Sequence, residues 1–188
     1  MKYKLLTNET TSHNGITLYR IQAVSNFSNV KAGDKGGWIE KESNLSQDDT
    51  AWIYDDAMVY GDAWVSGDAR IYGNARIYGN ARIYDNAQVY EYARVYENAE
   101  VYDYAKVYDN AKVTGDATVI GDAIVYGNAW VSGDARIYGN ARIYGNARIY
   151  DNAQVYEYAK VGGHAKIAGK VEVFGDTIFE GTTEVFEK

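Results

Sequence analysis

A period of six governs what this chain can fold into. From Ala51 to Ala165 alanine recurs at every sixth residue, 20 positions without a miss. Two residues after each alanine stands Val or Ile, from Ile53 to Ile167. The frame runs on through Val171/Val173, Thr177/Phe179 and Thr183/Val185, giving 23 hexads. A helix cannot use this pattern, because a period of six drifts badly against the helical turn. The Ala-x-Val/Ile part alternates with period two, which is a short strand with two inward residues. The Gly-Asp, Gly-Asn or Asp-Asn pair that follows is turn chemistry, tolerant of left-handed backbone. Strand and turn at fixed spacing predict an all-β solenoid.

The unit resembles the hexapeptide repeat of left-handed parallel β-helix proteins: an aliphatic residue, a variable one, two turn residues, a small residue and another variable one. That resemblance implies left-handed winding and three hexads per triangular coil. The 23 hexads then make between seven and eight coils, a rod roughly 35–40 Å long at sheet spacing. Where the family commonly has a small or acidic residue after the aliphatic, this chain usually has Tyr.

Residues 1–46 break the repeat and carry six Lys/Arg against four Asp/Glu, whereas residues 47–188 carry a net −9. An open solenoid end exposes backbone edges, so the first segment is expected to be an amino-terminal β cap. Asn14-Gly15 before Ile16-Thr17-Leu18-Tyr19-Arg20-Ile21 predicts a hairpin turn entering a strand. Gly33 to Gly37 lacks the Gly-Lys-Ser/Thr ending of a phosphate loop and predicts a cap turn. At the other end Phe174, Phe179 and Phe186 are expected to form an aromatic cap on the 47–188 repeat domain. The amino-terminal segment, joined directly to hexads, is similar to that of a bacterial and prophage YdcK-like family whose members carry only a transferase label. The resemblance implies a phage or prophage setting and the cytoplasm of a bacterial host. The absence of cysteine excludes disulfides, thiol catalysis and cysteine-bound metals. Nor is any apolar run long enough to predict a membrane span.

Stacking at three-hexad spacing assigns the outward columns. Tyr54, Tyr72, Tyr90, Tyr108, Tyr126 and Tyr144 form one uninterrupted column. Rings at one-coil spacing are expected to stack and brace neighbouring coils. As a binding surface the same six tyrosines, with Trp52, Trp64 and Trp130 as exposed anchors, would suit a protein partner. A second outward column runs Met58, Arg76, Arg94, Lys112, Trp130, Arg148, Lys166, Glu184. Basic residues beside tyrosines suggest single-stranded nucleic acid. The turn carboxylates argue against it, because rows of Arg and Asp are expected to pair across coils; nucleic acid is therefore not the expected partner. Acidic rows could also imitate nucleic acid, a further alternative. A threonine array for ice is absent, since only Thr118 stands at an outward position.

Many hexapeptide-repeat proteins are trimeric acyltransferases that take acyl-coenzyme A between subunits and use a histidine base. Under that alternative acetyl-CoA is the cofactor, a homotrimer is the assembly and His164 is the candidate base, where Gly162-Gly163 would open space. Otherwise no cofactor is expected. His13 reads as a solvated loop residue, and two histidines exclude a three-histidine zinc site within the chain. No loop interrupts the hexads. Residues 63–93 are also identical to residues 129–159, an offset of 11 hexads that rotates the copies by two faces. A catalytic site would be disturbed by such a transplant, whereas a solenoid tolerates it because repeats contact only nearest neighbours. The sequence therefore predicts a non-catalytic scaffold or binding module.

Overall fold

A computed structural model describes residues 1–187 and forms an all-β solenoid of parallel stacked coils. Each hexad makes a short strand, and strands three hexads apart pair in parallel, as in Arg70↔Gln88 and Val89↔Val107. Three sheets result, one per side of the coil. Face I is an eight-stranded sheet from Trp52–Ile53 to Ile178–Phe179. Face II contains Met58–Val59 and every third strand after it. Face III is seven-stranded, from Trp64–Val65 to Glu172–Val173.

The interior follows from the two inward positions. Every alanine from Ala51 to Ala165 and every Val or Ile from Ile53 to Ile167 in the aliphatic position is fully buried. Ladder hydrogen bonds such as Trp52 N–H to Ala69 O (3.0 Å) and Tyr54 N–H to Ile71 O (2.7 Å) satisfy the backbone. Proline cannot donate such a bond. At each corner the residue after the tyrosine position is left-handed. Gly67 has φ 69°, and an added Cβ there would lie 2.7 Å from Asp85 N. Asp85 itself takes φ 54° in the next coil, which short polar side chains tolerate better than most.

The first residues extend and close face II. Strand β1 (Tyr3–His13) and strand β2 (Ile16–Ala23) form an antiparallel hairpin, and β2 pairs antiparallel with β3 (Lys35–Ile39). The hairpin turn has positive φ at both Asn14 (51°) and Gly15 (80°), the mirror-image turn that matches strand twist. Strand β3 joins the solenoid in parallel, Trp38 opposite Met58. Gly36 and Gly37 in β3 have no room for a side chain: a Cβ at Gly36 would lie 2.6 Å from Ile53 O and from the Trp52 ring. Gly36 and Gly37 therefore serve close packing, while Gly33 (φ 95°) has open space around it and lies in the turn before β3.

Buried polar groups in this region are paired. Asn44 donates to Gly61 O (3.0 Å) and Ala63 O (2.9 Å), and accepts from Lys41 N–H. The Tyr3 hydroxyl lies 2.8 Å from the carbonyls of Glu42 and Leu45, and burial pushes its pKa up. Lys2 Nζ meets Ala51 O at 2.8 Å and Asp49 at 3.2 Å; burial lowers its pKa, with Asp49 opposing.

Three expectations are corrected here. Trp52 is 1% exposed, because Tyr3 and Phe27 pack edge-on against it at 6.2 and 5.3 Å. It is a core residue beneath the amino-terminal segment, not a binding anchor. His13 is no free loop residue either: it packs against Tyr60 at 5.5 Å, and burial, with Arg76 and Arg94 nearby, lowers its pKa. Finally, the aromatic plug does not form. Phe179 occupies the aliphatic position and packs on the core, but Phe174 and Phe186 sit in the tyrosine position at corners, 53% and 55% exposed. The position within the hexad, not apolarity, decides which way each ring points. Among the described residues no helix is long and apolar enough to cross a membrane.

Candidate binding surface

Parallel register puts equivalent side chains of face II about 4.8 Å apart. The expected pairing of Arg rows with turn carboxylates is not found. Among the described residues, Arg82–Glu100 (3.9 Å) and Lys166–Glu184 (2.6 Å) are the ion pairs between repeat rows. Several turn carboxylates bend instead to the coil above and accept a glycine N–H: Asp55 from Gly73 (3.0 Å), Glu97 from Gly115 (2.8 Å), Asp109 from Gly127 (3.0 Å). A carboxylate so held is already satisfied by a charge-assisted bond. Arg76, Arg94, Lys112 and Arg148 are left without an ion-pair partner among the described residues.

Beside this row, at the corner between faces I and II, runs a groove of about 550 Å³. Arg94, Lys112, Trp130 and Arg148 line one wall and Tyr92, Asn110, Asn128 and Asn146 the other; no carboxylate lines it. Trp130 is 38% exposed, with Lys112 Nζ 5.6 Å and Arg148 Cζ 5.9 Å from its ring centroid. On its other side Ser132 replaces the tyrosine, opening a second hollow of about 410 Å³ towards Tyr150 and Lys166.

The six-tyrosine column is continuous. Ring centroids are 5.2, 5.9, 4.8, 5.2 and 5.4 Å apart from Tyr54 up to Tyr144, with the Tyr72–Tyr90 pair edge-on and the last three pairs stacked. The rings are half-buried and spend their faces on one another. Burial, then Tyr108, pushes Tyr90 up to about 12. The most exposed tyrosines are others: Tyr92 (60%), Tyr104 (61%) and Tyr158 (62%). Sequence reasoning passes over them, although each stands in the last turn position where Asn or Asp is usual. Trp64 is exposed on face III, apart from Trp130 on face II.

At the other candidate, His164 is an exposed turn residue, and no described side chain is hydrogen-bonded to its imidazole. The space attributed to Gly162 is occupied: a Cβ there would collide with the Tyr144 ring. That ring lies over the glycine so that its hydroxyl donates to Glu180 at 2.6 Å, a bond that pushes Tyr144 up to about 12. No group of three or more described His, Asp or Glu residues could hold a metal ion.

The fold and this surface define a hexad-built β-solenoid with a regular, uninterrupted exterior. The family model described as YdcK Beta solenoid repeat matches residues 51–67, 69–81, 75–91, 81–97, 135–148 and 141–157. Over those residues the chain carries YdcK-type solenoid repeats. A curated relative, the "Uncharacterized acetyltransferase YdcK" of Escherichia coli (strain K12), is 43% identical over 47 residues. That match covers 25% of this chain and only 14% of the relative.

Proposed function

We propose that the chain is a non-catalytic binding module, a rod that presents face II and its flanking groove to a partner. One observation carries this reading: a row of cations without ion-pair partners beside a groove free of carboxylates, in a protein of net charge −7. Such a local reversal of sign focuses the field and selects an anionic partner. The contact surface moves from the tyrosine column, whose rings are occupied with each other, to the residues that solvent reaches. A phage or prophage setting rests on the family resemblance; there the rod would occupy a host factor. Reversing Arg94 and Arg148 to Glu should abolish retention of the partner from host lysate while leaving the circular dichroism spectrum intact. Unchanged retention would refute the reading.

The relative's name supports a second reading, an acetyltransferase with His164 as base and acetyl-CoA as cofactor. Against it stand the closed space at Gly162 and the unoriented imidazole. Acetyl-CoA at millimolar concentration should leave the melting temperature unchanged. A clear upward shift, with turnover lost in His164→Ala, would reinstate the enzyme, and a trimer by light scattering would accompany it.

A further inference from the structure

Granting the binding reading above, the class of anionic partner follows from how the charges and planar groups are laid out. The cations of face II lie on one straight line. From Arg76 to Lys166 the line climbs five coils, about 24 Å at sheet spacing. Phosphates of a duplex wind around its axis and would meet a straight line only briefly. A single strand laid along the rod can follow it.

Carboxylates thin out along this edge. At the corner between faces I and II the last turn position reads Asn110, Asn128, Asn146, His164, and the left-handed position above Asp109 reads Gly127, Gly145, Gly163. Over the same coils the other two corners carry Asp116, Asp134, Asp122 and Asp176. The cross-section is thus polarised: the acidic corners repel a polyanion, and the cation row draws it to this edge.

Two features go beyond charge. Trp130 offers an indole in the middle of the cation row, flanked by Lys112 and Arg148, whose long side chains can swing to phosphates and leave the ring to a base. The Asn110, Asn128 and Asn146 amides make no side-chain hydrogen bonds among the described residues, unlike Asn80 and Asn98 at the next corner, which bond onward to Asn98 and Asp116 at 2.9 Å. Free amides that both donate and accept match base edges, whereas the side-chain carboxylates of an acidic peptide ask only for donors. The expectation against nucleic acid rests on Arg–Asp pairing and on the net −9 of residues 47–188; the structure lacks the pairing, and along this edge the turn positions from Asn110 to His164 are not acidic.

We infer that the groove along face II binds single-stranded nucleic acid, phosphates on Arg94, Lys112 and Arg148 and a base on Trp130. The test is fluorescence anisotropy with a labelled oligothymidylate of about twenty nucleotides, a length that spans the whole row, and with labelled poly-glutamate in parallel. Expected is saturable oligonucleotide binding that weakens with salt, the logarithmic slope being about −0.7 per phosphate contacted. Arg94→Glu with Arg148→Glu should abolish it, Trp130→Ala should weaken it about tenfold, and Arg82→Glu with Arg136→Glu on face III should leave it unchanged. Circular dichroism and melting confirm that each variant folds. Poly-glutamate bound through the same residues, with no oligonucleotide bound, would overturn the nucleic-acid assignment and keep the anionic binding face. Failure to bind either polymer at low salt would overturn both.

Discussion

Residues 63–93 and 129–159 share one amino-acid sequence and have different surroundings. The first copy starts on face III with Trp64–Val65, the second on face II with Trp130–Val131. Inside, the copies are indistinguishable: Val65 and Val131, Ile71 and Ile137, Ile77 and Ile143 are all fully buried. Outside, even exposure is nearly preserved, 43% against 38% for the tryptophans and 60% against 62% for Tyr92 and Tyr158. Chemistry is not preserved. Arg82 faces Glu100 at 3.9 Å, whereas its copy Arg148 lies over Trp130 and has Lys166 on the next coil. Asp151 and Glu157 accept N–H groups of Gly169 and Gly175, whereas Asp85 and Glu91 lie beneath Asp103 and Asp109. The hexad dictates shape; the residue one coil away dictates interaction. A duplicated segment therefore transplants a surface without its site.

Deletions should break the comparison most severely. Removing residues 128–130, half a hexad, shifts every later strand by an odd number of residues and turns its inward set outward. Loss of the cooperative thermal transition is expected. Removing residues 63–128, a far longer stretch, joins residues 1–62 to a segment that begins with the same sequence as the one deleted. That variant should fold and melt cooperatively, with Trp130 moved to face III and the cation groove gone. Circular dichroism melts decide; a folded short deletion or an unfolded long one contradicts the phase argument.

Core truncations come next. Ile71→Ala and Ile137→Ala each leave a cavity in a dry stack and should each cost about 2–5 kcal/mol. Because the inward column does not distinguish faces, the two costs should agree within about 0.5 kcal/mol in denaturant titrations. A large gap would show that the faces are packed differently.

The same division explains what is legible in the sequence. Alanine at every sixth residue and Val or Ile two later suffice for the solenoid, because inward positions depend on the hexad alone. The tyrosine column is legible for the same reason. Trp52 escapes the pattern because its cover, Tyr3 and Phe27, comes from outside the repeat, where no period assigns contacts. The bare cation row of face II is hidden by a choice the pattern does not encode: turn carboxylates reach the glycine N–H above rather than the arginines beside them. Tyr92 and Tyr158 are exceptions within the turns, and a rule drawn from the majority at a position passes over its exceptions.

Alkaline titration separates the copies more finely. Tyr90 stacks between tyrosines, 4.8 Å from Tyr108, and burial raises it to about 12; its copy Tyr156 is raised by burial and by a hydroxyl bond to Glu172 at 3.0 Å. A tyrosine raised in the folded state above its ordinary 10.0 contributes stability that is full below pH 10 and lost as pH rises through the folded value. Stability should therefore fall between about pH 10 and 12, followed by phenolate absorbance and circular dichroism together. Glu172→Gln should bring the ionisation of Tyr156 back towards its ordinary range without moving that of Tyr90. Equal movement of both would mean that the coils, not the neighbours, set these values.

The smallest effect isolates a single neighbour. The Tyr84 hydroxyl donates to Glu100 at 3.3 Å, while its copy Tyr150 has Lys166 at the equivalent place and makes no such bond among the described residues. Tyr84→Phe should cost about 0.5–1 kcal/mol, and Tyr150→Phe less than about 0.5 kcal/mol. Giving each copy the other's neighbour is the stricter form of the test. In a Glu100→Lys background Tyr84→Phe should become silent, and in a Lys166→Glu background Tyr150→Phe should begin to cost, so that the two double-mutant cycles mirror each other. If Tyr84→Phe keeps its full cost in the Glu100→Lys background, the difference between the copies lies within the duplicated segment and not in the coil above it.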